Sequence, residues 1–438
     1  MLPCYPLPYI YTCFFSYISN VRTYTHARTY NTLIIEKNKI FLARAREHGN
    51  TQKRKLNMIQ LRPYQEHAVR SIVRYVKDGG TLGLVVLPTG AGKSYVIAFA
   101  ARDIGGSVLV LCPSKEILEQ NYSKFRSEVP DVPASMFSAS VGMKEISTVT
   151  FATIGSIVRR PQDFDAFSVI IIDEAHKVGD EDKTEASMYQ EFLSHLPKAQ
   201  VIGLTATPFR LQSKTNMFYD RSKRAYQVRT ISAKMISLVG RQGYFDKVIS
   251  VAQVADLCTR GWLAAPIYPR CHFGPHTDQM LDNTLRRLCS PNHKTIVFTR
   301  SVTEAKELAD RYLAIGLPVG YVSAKMGLKR RTEVIESFRR GDIRIMFNRK
   351  VLEIGYDDPS IDSVVLLSTT HSLNSYYQMV GRAIRPFPGK CATVYDFGWT
   401  SRTFGNVADL QYRTDSQGRW QMYSANRQLT DVELIKQQ

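Results

Sequence analysis

The chain has 438 residues, enough for two or three domains with large cores, and its 44% hydrophobic and 22% charged residues are typical of a globular protein. Its seven scattered cysteines include no Cys-x-x-Cys pair, which argues against a zinc ribbon or a disulfide framework. We therefore expect a reducing compartment and a cytoplasmic or nucleoid-associated protein that is not secreted. The net charge of +19 favours a polyanionic partner, with nucleic acid the first candidate and an acidic membrane surface the second.

Residues 1–57 differ in composition from the rest of the chain. The first 21 residues carry no charge, and nine Lys/Arg against two Glu follow between Arg22 and Lys55. A membrane anchor, a basic arm on nucleic acid and upstream sequence translated from a misplaced start are the alternatives. We favour the last, with Met58 opening the first domain, and expect this extension to be disordered or not native. Without its seven net positive charges the chain would keep +12, so a polyanionic partner is still predicted.

An amphipathic helix is predicted after the segment Arg62-Pro63-Tyr64-Gln65. Its apolar positions recur at helical spacing: Ala68, Val69, Ile72, Val73 and Val76. A glutamine amide can offer one acceptor and one donor to an adenine edge. As a lone residue, however, Gln65 is better explained as a solvated polar side chain at a helix start.

The stretch from Leu82 to Ser94 reads LGLVVLPTGAGKS. A short apolar run predicts a buried strand, and a turn with two glycines leads into a helix. This is the layout of a phosphate-binding loop, in which backbone N–H groups and the helix N-terminus attract phosphate. The predicted phosphate-binding residues are Thr89, Gly90, Ala91, Gly92, Lys93 and Ser94. Lys93 would reach the β- and γ-phosphates and Ser94 would bind Mg²⁺, whereas the alternative is an ordinary Gly-rich turn.

The sequence Asp173-Glu174-Ala175-His176 ends another apolar run, Val169 to Ile172. Carboxylates at the end of a buried strand are costly unless they are paired or bind a metal. Asp173 can hold Mg²⁺ through water opposite Ser94, and Glu174 can orient and deprotonate an attacking water. The alternative is a helix N-terminus whose acidic residues face its dipole.

Residues 209–247 form a strongly basic insertion, with nine Lys/Arg against Asp220 and Asp246. It follows the strand-ending turn Leu204-Thr205-Ala206-Thr207-Pro208. One interpretation is a surface insertion over a nucleic-acid path that holds phosphates by charge, and the other is a solvated loop and helix. Gly261-Trp262-Leu263 and the prolines that follow predict the interdomain connection.

A second block of alternating strands and helices follows, which predicts a parallel sheet covered on both faces. Near its end the spacing of Gln378, Arg382 and Arg385 places all three on neighbouring turns of one helix face. Arginines on a separate domain can stabilise charge on a γ-phosphate across a cleft. A basic helix on a solvated surface is the alternative.

In this order, PTGAGKS, DEAH and TATP resemble motifs I, II and III of superfamily 2 helicases and translocases. RPYQ is similar to the adenine-reading Q-motif, and the remaining resemblances are PSKEIL to motif Ia, TFATIGSI to Ib, IVFTR to IV, NRKVLEIGYD to V and QMVGRAIR to VI. The resemblance implies an α/β fold with two RecA-like, doubly wound parallel-sheet domains and ATP with Mg²⁺ between them. We place them at 58–262, including the basic insertion 209–247, and at 263–398, with a polar C-terminal tail at 399–438.

The resemblance also implies roles for individual residues. The implied catalytic residues are Lys93, Asp173, Glu174, Gln378, Arg382 and Arg385. Arg62, Gln65, Gly355 and Asp357 would join the phosphate loop in binding the nucleotide, and Ser94 with Asp173 would hold Mg²⁺.

The branch of the superfamily bears on the substrate. DEAH together with Q-x-x-G-R-A-x-R is similar to the type III restriction-subunit branch, which implies DNA rather than RNA, held through its backbone. The expected function is that of an ATP-dependent DNA helicase or translocase. The alternatives are a DNA-stimulated ATPase that remodels protein–DNA complexes and an RNA helicase. We expect no membrane association, and since the sequence contains no nuclease constellation, any cleavage would come from a protein partner.

Overall fold

The computed structural model describes residues 59–178, 184–220, 225–240, 243–270, 277–353 and 356–434. The predicted extension 1–57 and Gly355 of the predicted nucleotide site lie outside these ranges. From Leu61 onward the chain clusters as one compact unit. Among the described helices, none combines the length and hydropathy that crossing a bilayer would require.

The first lobe is built on an eight-stranded sheet in the order β10-β1-β7-β6-β2-β5-β3-β4. All neighbouring pairs are parallel except β3 and β4. The strands are β1 (Leu82–Val86), β2 (Val108–Cys112), β3 (Ala134–Ser138), β4 (Met143–Lys144), β5 (Val149–Thr153), β6 (Val169–Asp173), β7 (Gln200–Thr205) and β10 (Lys247–Val251). Every residue of β2 and β6 is buried, because a parallel sheet must be covered on both faces.

The described residues of this lobe include six α-helices. They are α1 (Pro63–Lys77), α2 (Lys93–Ile104), α3 (Lys115–Glu128), α4 (Ile154–Ile157), α5 (Thr184–Ser194) and α6 (Val254–Thr259). The predicted helix after Gln65 is α1, which buries Ala68, Val69 and Ile72 as its spacing requires. Helix α3 begins after Ser114, whose hydroxyl accepts a hydrogen bond from Ile117 N at 3.4 Å.

The second lobe has a six-stranded, all-parallel sheet in the order β11-β16-β15-β12-β14-β13. The strands are β11 (Pro266–Ile267), β12 (Thr295–Phe298), β13 (Val319–Val322), β14 (Ile345–Asn348), β15 (Ser363–Leu366) and β16 (Ala392–Asp396). The helices are α7 (Thr277–Leu288), α8 (Val302–Leu313), α9 (Leu328–Arg340) and α10 (Leu373–Val380). The predicted two-lobed, doubly wound α/β architecture is confirmed.

The basic insertion contains a long antiparallel hairpin of β8 (Phe209–Asp220) and β9 (Ala225–Ser237), so the interpretation as a loop and helix is wrong. The strands pair from Phe209 with Ser237 to Asp220 with Ala225, and the register shifts between Lys214 and Thr215. At about 3.3 Å per residue, twelve residues reach roughly 40 Å. The hairpin directly follows the strand-ending turn after β7, which places its base at the carboxyl end of the strands in the sheet that carries the phosphate loop.

The tail 399–438, to which the sequence prediction gave no structure, begins with a helix and continues as a small sheet. Helix α11 (Thr400–Phe404) leads into antiparallel β17 (Leu410–Thr414), β18 (Trp420–Ser424) and β19 (Arg427–Gln428), and β20 (Glu433–Leu434) pairs with β9. Leu410 and Tyr412 alternate with exposed residues, which is the period of a half-buried strand. Gln253 of the first lobe donates to Tyr412 O at 2.8 Å and accepts from Tyr412 N at 3.2 Å. The tail therefore packs back onto the first lobe.

Candidate functional site: a cleft between the two lobes

The predicted phosphate loop lies between β1 and α2. Gly90 and Gly92 adopt φ of +84° and +78°, a left-handed conformation that favours glycine. Gly92 is also the N-cap of α2, so Lys93 and Ser94 open the helix and the first free backbone N–H groups face the loop. A β-carbon at Gly92 would lie 2.6 Å from Gln65 Nε2. The loop is thus a close-fitting turn at a helix N-terminus, which suits an anion.

Two carboxylates stand opposite the loop, at the end of β6. Lys93 Nζ lies 3.3 Å from Glu174 Oε1, and His176 Nδ1 lies 3.4 Å from Glu174 Oε2. Although burial acts in the opposite direction, these two partners hold the pKa of Glu174 well below its usual range. Burial and the neighbouring charge of Glu174 raise the pKa of Asp173 to about 6, against the opposing effect of Lys93. Of the two carboxylates, Glu174 is therefore the one that stays ionised even in acid.

The second lobe contributes the three residues predicted on one helix face. Gln378 is in α10, but the helix ends at Val380 before Gly381, so Arg382 and Arg385 lie in the turn that follows, and the prediction of one helix face is wrong for the two arginines. Arg382 donates to Glu353 O at 2.8 Å and to Tyr356 O, and Arg385 Nη1 donates to Tyr356 O at 3.0 Å. Burial and the charge of Arg385 lower the pKa of Arg382 to about 9, so its guanidinium stays protonated at neutral pH.

The lobes meet around the phosphate loop. A β-carbon added to Gly381 would lie 2.5 Å from Thr89 Cγ2, and one added to Gly90 would lie 3.2 Å from Arg385 Cγ. Thr207, in the turn after β7, donates to Asn374 Oδ1 of α10 at 3.1 Å. The two halves of the predicted site are therefore in direct contact.

Together these residues enclose a cleft of about 280 Å³. Its walls include predicted residues from both lobes: Thr89, Gly90, Gly92, Lys93, Ser94, Asp173, Glu174, Asp357, Gln378, Arg382 and Arg385. Asp357 Oδ1 lies 3.0 Å from Arg385 Nε. The residue predicted to bind the nucleotide and the predicted catalytic arginine therefore form an ion pair. The structure thus brings most of the predicted site residues to one place.

The residues of the cleft fit a nucleoside triphosphate and its metal ion. Thr89 Oγ1 and Arg382 Nε are buried and have no hydrogen-bond partner among the described residues. Both atoms can donate to phosphate oxygens. Within the described ranges no three His, Cys, Asp or Glu residues cluster as a metal site. The residues predicted to bind Mg²⁺, Ser94 and Asp173, would supply the one or two side-chain ligands that this ion takes alongside substrate phosphates and water.

Two family models match the chain: "Type III restriction enzyme, res subunit" over residues 58–210 and "Helicase conserved C-terminal domain" over residues 278–386. The chain belongs to helicase superfamily 2. Its first lobe matches the type III restriction subunit model and its second lobe matches the helicase C-terminal model.

Curated relatives and a solved structure agree with this assignment. "Putative ATP-dependent helicase IRC3" of Saccharomyces cerevisiae is 25% identical over 350 residues, covering 74% of this chain and 49% of that protein. "DNA 3'-5' translocase XPB2" of Sulfurisphaera tokodaii is 23% identical over 367 residues, covering 75% and 79%. The chain thus spans about half the length of the first relative. The Type ISP restriction-modification enzyme LlaBIII bound to DNA shares the fold with a TM-score of 0.56 at 18% identity, covering 78% of this chain and 28% of that one.

Arg62 and Gln65 do not line the cleft. Gln65 Oε1 accepts from Arg62 N at 3.0 Å and Gln65 Nε2 donates to Ala91 O at 2.8 Å. Arg62 Nη1 donates to Trp262 O at 3.0 Å. Gln65 is buried and both ends of its amide are hydrogen-bonded, so the interpretation as a solvated polar side chain is wrong, whereas the contact of Arg62 and Gln65 with adenine stays a prediction.

Sequence reasoning missed the part of the cleft that α3 forms. Gln120, Asn121 and Lys124 line it together with Tyr95 of α2. Lys124 Nζ donates to Tyr95 Oη at 2.9 Å, and Asn121 Nδ2 donates to Asp173 Oδ2 at 2.8 Å. The spacing of 120, 121 and 124 places these polar residues on one helix face, which is the signal that was present in the sequence.

Proposed function

We propose that the chain is an ATP-dependent DNA helicase or translocase, in which ATP hydrolysis between the lobes drives movement along nucleic acid. The observation that carries this proposal is a single cleft that joins Lys93 and Glu174 of the first lobe to Gln378 and Arg382 of the second. Because both lobes supply phosphate-facing groups, hydrolysis would depend on how the lobes are placed. Coupling of chemistry to lobe movement is what a motor requires.

Within this cleft Lys93 and Glu174 have linked roles. Lys93 pairs with Glu174 at 3.3 Å here, and the phosphates of ATP would compete for the same ammonium group. Once Lys93 turns to the phosphates, Glu174 loses one of the two partners that lower its pKa, and the carboxylate becomes a better proton acceptor. Glu174 would then orient and deprotonate the attacking water only when ATP is in place.

The arginines act from the opposite side. Arg382 is 3% exposed and keeps Nε free of hydrogen bonds among the described residues, whereas its two terminal nitrogens donate to backbone oxygens of its own lobe. This anchoring fixes the guanidinium plane, so little entropy is lost when it meets a γ-phosphate. Mg²⁺, when bound by Ser94 and Asp173, would neutralise charge on the β- and γ-phosphates.

Nucleic acid as the partner is supported by charge and by the hairpin. The hairpin sequence 209–237 contains seven Lys/Arg and one acidic residue, Asp220. A basic arm of about 40 Å beside the nucleotide-binding sheet can hold phosphates without reading bases. The preference for DNA over RNA comes from the branch resemblance and from the names of the relatives. Remodelling of protein–DNA complexes and RNA unwinding are the alternative functions.

The test is the ATPase rate of the purified chain with single-stranded DNA, duplex DNA and RNA in turn. We expect the strongest stimulation by DNA, with a steep decrease as salt rises. Strand-displacement and streptavidin-displacement assays on the stimulating DNA then separate unwinding from translocation or remodelling. Stimulation by RNA alone would favour the RNA helicase, and ATP turnover that no nucleic acid changes would contradict a motor.

A further inference from the structure

Asn121 is a buried amide on α3 whose side chain contacts Asp173. Its Nδ2 donates to Asp173 Oδ2 at 2.8 Å and lies 3.6 Å from Cys112 Sγ. Asn121 and Asp173 are 3% and 5% exposed, so water does not replace the contact. The amide orientation follows from chemistry, because an ionised carboxylate only accepts hydrogen bonds and must face the NH₂ group.

Asp173 has one such partner on each oxygen. Oδ2 accepts from Asn121, and Oδ1 accepts from the backbone N–H of Glu174 at 2.9 Å. Two donors on different oxygens fix the rotation of the carboxylate about its Cβ–Cγ bond. Each oxygen still has a lone pair with which it can face the cleft.

The helix that carries Asn121 is a firm support. Ser114 caps its N-terminus, and Leu118 and Phe125 on the same helix are fully buried against the sheet. The Asn121 amide is therefore held in a fixed position relative to the end of β6. A side chain on a packed helix positions a ligand more accurately than one on a loop.

We propose that Asn121 is a positioning residue for the metal-binding carboxylate Asp173. A neutral amide orients this carboxylate without cancelling its charge, whereas an ammonium group in the same place would compete with the metal ion. The chain keeps its nearby ammonium, Lys93, on Glu174 instead. This role rests on the proposed function, because it assumes that the cleft binds a nucleotide with Mg²⁺.

The experiment compares binding of a fluorescent ATP analogue across a MgCl₂ titration and in EDTA. Asn121→Leu has a similar size and lacks the donor, so we expect the Mg²⁺ concentration at half-maximal binding to rise by about 10- to 100-fold. Binding in EDTA should change little, because the phosphate loop and Lys93 are untouched. Asn121→Ser, which keeps a shorter hydroxyl donor, should be intermediate. Ser123→Ala, at an exposed position of the same helix, is the matched control.

The outcomes separate the possible errors. An unchanged Mg²⁺ midpoint in a folded Asn121→Leu variant overturns the role of Asn121 alone. An equal loss of binding with Mg²⁺ and in EDTA means that Asn121 only supports the fold, which also overturns it. If nucleotide binding by the wild-type chain does not depend on Mg²⁺, the proposed function is overturned as well. If Asn121→Leu melts below the assay temperature, Asn121→Ser supplies the same comparison.

Discussion

Gly381 of the second lobe faces Thr89 of the first so closely that a β-carbon at 381 would lie 2.5 Å from Thr89 Cγ2 and 2.7 Å from its Cβ. Real β-carbons do not approach heavy atoms to this distance, so a side chain at 381 must push the lobes apart. The contact lies at the phosphate loop itself, between Pro88 and Gly90. Glycine at 381 is therefore a condition for the closed cleft.

We expect Gly381→Ala to lower the maximal ATPase rate by about 10- to 100-fold, because displacement of catalytic groups by about 1 Å has effects of this size. Nucleotide affinity should fall less, since the phosphate loop is on one lobe. The matched control is Gly327→Ala, where an added β-carbon meets nothing within 4 Å. Steady-state ATPase assays and thermal denaturation check both variants. Equal rates in Gly381→Ala and wild type would show that the close approach is not needed for turnover.

Lys93→Ala should abolish ATP turnover, with a loss of at least about 100-fold, because it removes a charge preorganised for the phosphates. DNA affinity, measured by fluorescence anisotropy without nucleotide, should stay close to wild type. The substitution also removes the ion-pair partner of Glu174. Retained turnover would place the phosphate site elsewhere in the chain.

Glu174→Gln tests the second half of that ion pair. The amide keeps the shape of the side chain but cannot take a proton from water, so hydrolysis should fall by about 100-fold or more. We expect an ATP-bound state that keeps its grip on DNA, seen as slower dissociation of labelled DNA with ATP than without. Unaltered hydrolysis would remove Glu174 as the base.

Much of the fold was predictable because parallel sheets leave clear sequence signals. The buried runs Val108–Cys112 and Val169–Asp173 are unbroken by polar residues until the strand ends, and the glycines at 90 and 92 mark the loop. The tail strand Leu410–Thr414 was missed because only two of its five residues are buried, and the Gln253 side chain that hydrogen-bonds to it lies in the first lobe. The hairpin was missed because the prediction for residues 209–247 used their charge and polarity and not an alternation of apolar and polar residues.

The site followed the same pattern. Sequence neighbours indicate the function of four site residues, and all four line the cleft: Lys93, Asp173, Glu174 and Arg382. Asn121 shares a helix face with Gln120 and Lys124, but this spacing does not indicate its role, which depends on a carboxylate 52 residues away. Its role is set by the packing of α3 against the sheet, which sequence spacing alone does not give.

Excision of the hairpin tests whether it holds nucleic acid. Replacing residues 214–232 with a two-residue Asn-Gly turn connects Ser213 to Ala233, which pair in the hairpin, and keeps the base of the hairpin, where Phe209, Met235 and Ile236 are buried. We expect basal ATPase to stay within about twofold, because the cleft is untouched. DNA affinity should fall by at least about tenfold, and the salt dependence of binding should become shallower as phosphate contacts are lost. Anisotropy titrations at several salt concentrations measure both effects, and unchanged affinity with an unchanged salt slope would exclude the hairpin as a contact.

A hydrogen bond from Thr207 to Asn374 links the two lobes close to the carboxylates of the cleft. Thr207 Oγ1 also lies 3.4 Å from His176 Nδ1, and His176 Nδ1 lies 3.4 Å from Glu174 Oε2. Three consecutive contacts therefore connect Glu174 to Asn374 in α10 of the second lobe. A change in lobe position can reach Glu174 through this chain of atoms.

Asn374→Leu removes the acceptor at nearly constant size and leaves the Thr207 hydroxyl, which is fully buried, without its cross-lobe partner. The lost bond is worth about 1 kcal/mol, so DNA-stimulated ATPase should fall by roughly fivefold, while basal ATPase changes little. Asn374→Asp keeps an acceptor oxygen and should retain most of the stimulation. The ratio of stimulated to basal rate is the measurement. If both variants lose stimulation equally, the hydrogen bond is not what couples the lobes, and packing of α10 against the turn after β7 must do so instead.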